Sequence, residues 1–294
     1  MGAAKKIETQ DIISRLDDLP TLPTIVYELS RVINDPMSSI NEVESIMRND
    51  PSLTGRVLKL ANSAYYAIPG GVSSLQRAIG YIGYDSINQL VLSCSVIKAL
   101  DAGAKPFFEP VQFWRHSLGV AMAAEATAQF VQYKTPSDLF TCGLIHDLGK
   151  IALFIIAPEL FEETIQLAKD KRLTIFEAEL ELGYPQHTVI GRELAQKWKL
   201  PTIIQASAQH HHQRDLSLRS GVSPELNQVV DIIFFSNLLV QAFQFGNSGH
   251  GKVLGVPKDI LERLHIDPNQ LKELIAKIKV SISSAEAFLK IIEG

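Results

Sequence analysis

Apolar positions along this chain recur at intervals of three and four, punctuated by prolines and capping residues, and no stretch holds the strict two-residue alternation of a half-buried strand. The spacing predicts a short helix from Thr9 to about Asp18, with Ile12, Ile13 and Leu16 inward, stopped by Leu19-Pro20-Thr21-Leu22-Pro23. A second helix runs from Thr24 to Asn34 and closes at Asp35-Pro36. Ser39 with Glu42 three residues on forms a capping box ahead of Val43, Ile46 and Met47. Asp50-Pro51 opens the next helix, with Asp50 as cap and Pro51 at the first helical position. Tyr65 to Gly71 reads as a loop. Helices then run from Ser74 to Ile82-Gly83 and from Asp85 to Leu100.

Gly103, Pro106 and Pro110 mark a hinge. Beyond it a long helix is predicted from Val111 to about Gln132, where Gln112, His116, Gly119 and Ala123 share a stripe. The small residues on that stripe allow another helix close to His116. Pro136 opens an apolar helix carrying Cys142, His146, Asp147 and Lys150. Further helices begin at Pro158 and Thr174, the second broken at Gly183-Tyr184-Pro185, then at His187, and at Pro201 running to His210-His211-His212. Another spans Leu226 to Phe243 with Asp231 and Asn237 on it, and a last amphipathic helix holds Leu271 through Ile282. The expected fold is all-α, an N-terminal helical bundle (residues 1–105) packed on a C-terminal helical domain (106–245), followed by a loop and the closing helix (246–294).

One stretch departs from this apolar pattern. In Gly143-Leu144-Ile145-His146-Asp147-Leu148-Gly149-Lys150, three ionisable side chains share one helical face at spacings of three and four. That face is costly to bury without partners. An adjacent His and Asp can ligate cations, and a nearby Lys suits an anion such as phosphate. A buried ion pair in a helical core would explain the dipeptide alone, but His116, His187, His210, His211 and His212 are available to converge on it. His250 and His265 fall in loop sequence and receive no role.

Composition narrows the classes. With 28 basic against 32 acidic residues the formal charge is −4, without a basic block, so neither nucleic acid nor an anionic membrane is an expected partner. Two cysteines, Cys94 and Cys142, sit in apolar helical sequence, which argues against disulfides or a thiolate metal site. The N-terminus from Met1 to Glu8 lacks an apolar leader, and no unbroken apolar run reaches the ~18 residues of a membrane span, so a cytoplasmic location is expected.

The order His116, His146-Asp147 with Lys150, His187, His211-His212 resembles the HD metal-dependent phosphohydrolase superfamily. The phrases Leu19-Pro20-Thr21-Leu22-Pro23, Asp50-Pro51-Ser52-Leu53, Leu60-Ala61-Asn62-Ser63-Ala64-Tyr65, Ala78-Ile79-Gly80-Tyr81-Ile82-Gly83, Trp114-x-His116-Ser117 and Trp198-Lys199-Leu200-Pro201 resemble its HDOD branch. The resemblance implies an all-α bacterial protein with a signalling or regulatory role through protein or ligand binding. It also implies metal ligands at His116, His146, Asp147, His187, His211 and His212, with Lys150 catalytic if the chain is a hydrolase.

Two positions depart from the pattern: Asn237 stands where the superfamily has an Asp ligand, and Gln112 where cyclic-di-GMP-cleaving relatives have a Glu. The remaining histidine-rich set suits one divalent transition metal, iron, nickel, zinc or manganese. The alternative function is a metal-dependent phosphohydrolase acting on a nucleotide or cyclic dinucleotide. Expected partners are a signalling protein, a small ligand or a second copy of the chain. The Asn62-to-Tyr66 phrase either forms a groove of its own or packs beneath a loop.

Overall fold

The protein is described from a computed structural model covering residues 8–33, 35 and 37–293. The expected helix end at Asn34 and the N-terminal stretch 1–7 lie outside those residues. Among the described residues there is no strand, only an isolated antiparallel bridge between Lys105 and Phe108.

Helix α1 (Thr9–Ser14) tightens into a 3-10 turn (Arg15–Asp18) and is followed by α2 (Thr24–Ile33), α3 (Ile40–Met47), α4 (Pro51–Ala61) and α5 (Leu75–Ala99). The caps act as their chemistry dictates. The Ser39 N–H donates to Glu42 Oε2 at 2.6 Å, and Asp50 Oδ1 accepts from the Leu53 N–H at 2.8 Å. Gly83, at φ 80°, kinks α5 where the sequence predicts one helix to end and another to begin.

The second half comprises α6 (Pro110–Phe130), α7 (Pro136–Ile145), α8 (Leu148–Ile156), α9 (Pro158–Lys171), α10 (Ile175–Leu182), α11 (His187–Lys197), α12 (Thr202–His210) and α13 (Pro224–Ala242). Then follow α14 (Lys258–Arg263), α15 (Pro268–Ile282) and α16 (Ala285–Glu293). The C-terminal region therefore differs from the single helix expected: α14 precedes it, and a turn at Ser283-Ser284 separates α15 from α16.

Helix α6 is the central strut, packed by α7, α13, α15 and α16. Its predicted small-residue stripe works as expected: a Cβ on Gly119 would meet Val240 of α13 at 3.0 Å and Phe245 at 2.7 Å. The apolar core is one cluster from Ile12 to Leu289. The Pro-rich turn and the Trp198 phrase meet through the Trp198 indole N–H, which donates to the Pro20 carbonyl at 3.2 Å. Asn62 clasps both backbone groups of Val72, at 2.6 and 2.7 Å. Tyr65 packs on Phe140 and Phe288 and donates its hydroxyl to Glu125. The Asn62-to-Tyr66 phrase is thus turned to packing.

One expectation needs correction. The apolar helix beginning at Pro136 does not continue through the His-Asp pair but breaks there, Asp147 adopting φ −95° and ψ 17° between α7 and α8. The stretch Pro136–Ile156 is long and apolar enough by composition to cross a membrane, yet 94% of its tested window is buried inside the protein. It is the core of the fold.

The approach of α8 to α11 is set by glycine. A Cβ on Gly149 would fall 1.8 Å from the His187 carbonyl oxygen and 2.7 Å from the Gly191 nitrogen. Gly149→Ala is therefore expected to cost at least ~3 kcal/mol by forcing the two helices apart. Gly80, whose Cβ would meet nothing within 4 Å in mid-helix, gives the contrast. Gly80→Ala should be neutral or stabilising by up to ~1 kcal/mol. Urea midpoints of the two variants check both values.

Candidate metal centre

The break at His146-Asp147 aims two side chains inward, and the α8–α11 contact brings His187 to meet them. His116 arrives from α6 and His211 and His212 from the end of α12. His116, His146, Asp147, Lys150, His187 and His211 are all buried, none more than 1% exposed. The ligand atoms of Asp147, His187, His211 and His212 all lie within 4.8 Å of one another, and so do those of His116, His146 and Asp147. Asp147 belongs to both groups. The sequence-predicted residues thus come together, and Lys150 Nζ donates to Asp147 Oδ2 at 2.8 Å.

Hydrogen bonds behind the rings fix their tautomers. His146 Nδ1 is 2.7 Å from the Gly143 carbonyl, and His211 Nδ1 is 3.1 and 3.0 Å from the carbonyls of Ser207 and Ala208. His187 Nδ1 faces both carboxylate oxygens of Glu179, at 3.0 and 2.8 Å. Carbonyl and carboxylate oxygens only accept, so each Nδ1 carries the proton and each neutral Nε2 presents a lone pair.

Those lone pairs point at a carboxylate. His211 Nε2 is 3.1 Å and His187 Nε2 3.4 Å from Asp147 Oδ1, while His146 Nε2 is 3.3 Å from Oδ2. His187 Nε2 and His211 Nε2 are 3.4 Å apart. The Nε2 of His146 and of His212 are shut off from solvent without a hydrogen-bond partner. Acceptors facing acceptors in a dry pocket repel unless a cation lies between them. Bonds of ~2.0–2.1 Å to a tetrahedral metal put its ligand atoms ~3.3 Å apart, the spacing seen at His187, His211 and Asp147. The buried His/Asp cluster can therefore hold a metal ion.

A proton can also fill part of this role. Burial lowers the pKa of His187, but Glu179 and Asp147 outweigh it and the pKa is raised. Burial raises the Asp147 carboxyl, yet His146 and Lys150 hold it well below its ordinary range. Protonated His187 against Glu179, with Lys150 against Asp147, balances the cluster without a metal. Other rings are driven the opposite way: burial takes His116 down to about 3, His211 and His250 to about 4, and His212 well below its usual value, and it lowers His210 outside the cluster.

The two departures from the family pattern behave differently. Asn237 enters the site, its Oδ1 3.0 Å from His116 Nε2 and 3.2 Å from the donating amide of Gln241. Two donors on one oxygen fix the amide orientation, so His116 Nε2–H is engaged by Asn237. Gln112 does not join the cluster. It lines a neighbouring cavity with Lys105, Phe107 and Lys169, and its carbonyl accepts from the Asn247 N–H at 2.9 Å. Asp231 lies elsewhere, held by Arg219 at 2.7 Å and Arg263 at 2.6 Å. His210 is buried apart from the cluster, 8% exposed.

Sequence reasoning missed three contributors. Glu179 is buried, while Leu180 beside it is 52% exposed. The signal was present: Glu179 sits with Ile175, Ala178 and Leu182 on one helical stripe. His250 and Ser248 come from the loop after α13, where no periodicity points. Lys150 Nζ reaches Ser248 Oγ at 3.4 Å, and His250 Nε2 faces the Gln241 amide at 3.4 Å. A Cβ on Gly246 (φ +71°) would meet the His116 nitrogen at 2.2 Å, so this loop closes directly over α6. Lys252 pins its far end to Glu177 at 2.6 Å.

Two outcomes follow. Histidines unfold into a pKa near 6.5, so for the five with lowered values, His116, His210, His211, His212 and His250, stability is full above that pH and is lost as pH falls through it, because only the unfolded chain takes up the protons. His187 runs the other way, stabilising below its unfolded value and losing this as pH rises through its raised one. Five groups against one predict that the urea midpoint drops between pH 7.5 and pH 5, and a flat or rising midpoint would contradict the burial of neutral rings. Glu179→Gln removes the carboxylate that orients His187 and should weaken zinc binding about 10- to 100-fold, measured by competition with a chromogenic chelator.

The HDOD domain family matches residues 19–214. An HDOD domain protein of unknown function from Geobacter sulfurreducens superimposes with a TM-score of 0.80 at 26% identity, covering 97% of this chain and 96% of that one. A provisionally named phosphohydrolase from Shewanella amazonensis SB2B shares the fold at 24% identity and a TM-score of 0.72, over 95% and 97% of the two chains. An uncharacterized protein of Treponema pallidum (strain Nichols) is 23% identical over 282 residues, 94% of this chain but 52% of that protein, so this chain spans about half its length. With that family match lying over the helices that build the cluster, the chain belongs to the HDOD domain family.

Proposed function

We propose that this chain is a regulatory HDOD module that acts by binding a partner protein or small ligand, and that its HD pocket keeps one divalent transition metal ion without efficient hydrolysis. The observation that carries this reading is the poverty of negative charge around the cluster. Among the described residues Asp147 is the one carboxylate directed at the converging Nε2 atoms, because Glu179 stands behind the His187 ring and Asn237 is an amide. Two divalent ions would add four positive charges beside the buried ammonium of Lys150. A dinuclear hydrolase needs anionic ligands to hold both ions and activate water between them. One ion suits Asp147 with His187, His211 and His212, and iron, nickel, zinc or manganese all accept such donors. Bound there, it would supply Lewis acidity and lock the four elements together.

A specific feature favours hydrolysis as the second reading. A cavity of about 220 Å³ reaches His116 and is lined by Gln241, Gln244, His250 and Lys252, a polar wall with hydrogen-bonding groups for a phosphate ester. The two readings separate in one experiment. Protein purified without chelator is analysed for metal and assayed with cyclic dinucleotides and nucleoside phosphates in the presence of manganese or iron. About one equivalent of metal, lost in Asp147→Asn, with no metal-dependent turnover is expected. Robust turnover abolished by Asp147→Asn would establish the hydrolase instead.

A further inference from the structure

A second cavity, of about 260 Å³, lies where α2 and α5 meet α7 and α12, away from the histidine cluster. Two carboxylates face it from different helices, Asp85 from just past the Gly83 kink of α5 and Asp138 from the first turn of α7. Among the described residues no Lys, Arg or His lines it and neither acid has an ion-pair partner. One helical turn beyond Asp138, Thr141 also lines the cavity; it is 4% exposed and its hydroxyl is buried without a hydrogen-bond partner. Gln89, 8% exposed, lies beside it, and Ile33, Leu92, Ile203 and Ile204 supply apolar wall.

Each acid has a local reason to exist, since a carboxylate at the start of a helical segment is favoured by the helix dipole. That does not explain their meeting. The Asp138 carboxyl is pushed up by burial and further by the charge of Asp85, against a lowering hydrogen bond from Thr135. Two like charges, an unpartnered buried hydroxyl and an apolar wall thus share one hollow with no positive group to offset them.

We propose that this cavity is a binding site for a small aliphatic ammonium compound, its charged nitrogen held by Asp85 and Asp138 and its methylenes by the isoleucines and Leu92. The dimensions fit this class. The volume falls below the ~300–1,000 Å³ of sites for drug-sized ligands. A bare Mg²⁺ or Ca²⁺ would need six or more oxygen ligands at close range and would leave the apolar wall unused. The other ends of α7 and α12 carry His146 and His211, so an occupant here braces the two helices that deliver those rings. The proposal does not depend on a metal at that cluster.

Titration calorimetry of the whole chain with 1,4-diaminobutane at pH 7 and low salt tests it, with 1,4-butanediol as the neutral isostere and magnesium chloride as the inorganic cation. Saturable one-to-one binding of the diamine, none of the diol, and no competition by magnesium are expected. Asp85→Asn, at the exposed rim where folding is not at risk, should weaken the diamine about tenfold, which is about 1.4 kcal/mol. Asp138→Asn should do the same, and Glu273→Gln, an exposed acid on α15, should change nothing. No saturation, equal affinity in Asp85→Asn, or magnesium filling the site in place of the diamine would each overturn the assignment.

Discussion

The constraint on which the rest of this structure depends is that imidazole lone pairs face a buried carboxylate. His146, His187 and His211 each have Nδ1 committed to an oxygen behind the ring, so their Nε2 atoms have nothing to donate toward Asp147. Such an arrangement is unstable in a dry interior unless something positive sits among the acceptors. Lys150 meets the demand at one carboxylate oxygen, and a proton on His187 or a metal ion meets it at the other. The fold has to hold this cluster closed whichever cation is present.

The means of holding it are backbone features. The α7–α8 break turns His146 and Asp147 inward, and Gly149 allows α11 to lie against α8 so that His187 reaches Asp147. Gly246 lets the loop after α13 ride over the His116 backbone, and Lys252 fastens that loop to Glu177. Access to the cluster therefore runs past a loop held by one half-exposed ion pair and a few polar contacts.

The two lost carboxylates have unlike consequences. At Asn237 the amide sits in the site and engages His116 without contributing charge. At Gln112 the side chain has left the cluster for a neighbouring cavity.

Much of this was legible in the sequence. Helical periodicity, the Ser39–Glu42 capping box, Asp50-Pro51 and the proline punctuation are local signals, and a helix is a local structure, so the all-α fold and most boundaries follow from neighbours in the chain. The residues that meet at the cluster were readable too, because a charged triplet in an apolar helix has no cheap place except a shared site. What the sequence could not decide was carried by contacts between distant segments. Glu179 looked like any surface acid until α10 turned it beneath His187, and His250 and Ser248 lie in a loop with no period to follow. The break at His146-Asp147 reflects tertiary packing that overrides the apolar run on either side. Sequence determined which groups carry charge and which segments coil; only the packing of α6, α8, α11 and α13 decided which of those charges face one another, because that depends on how close two backbones can come.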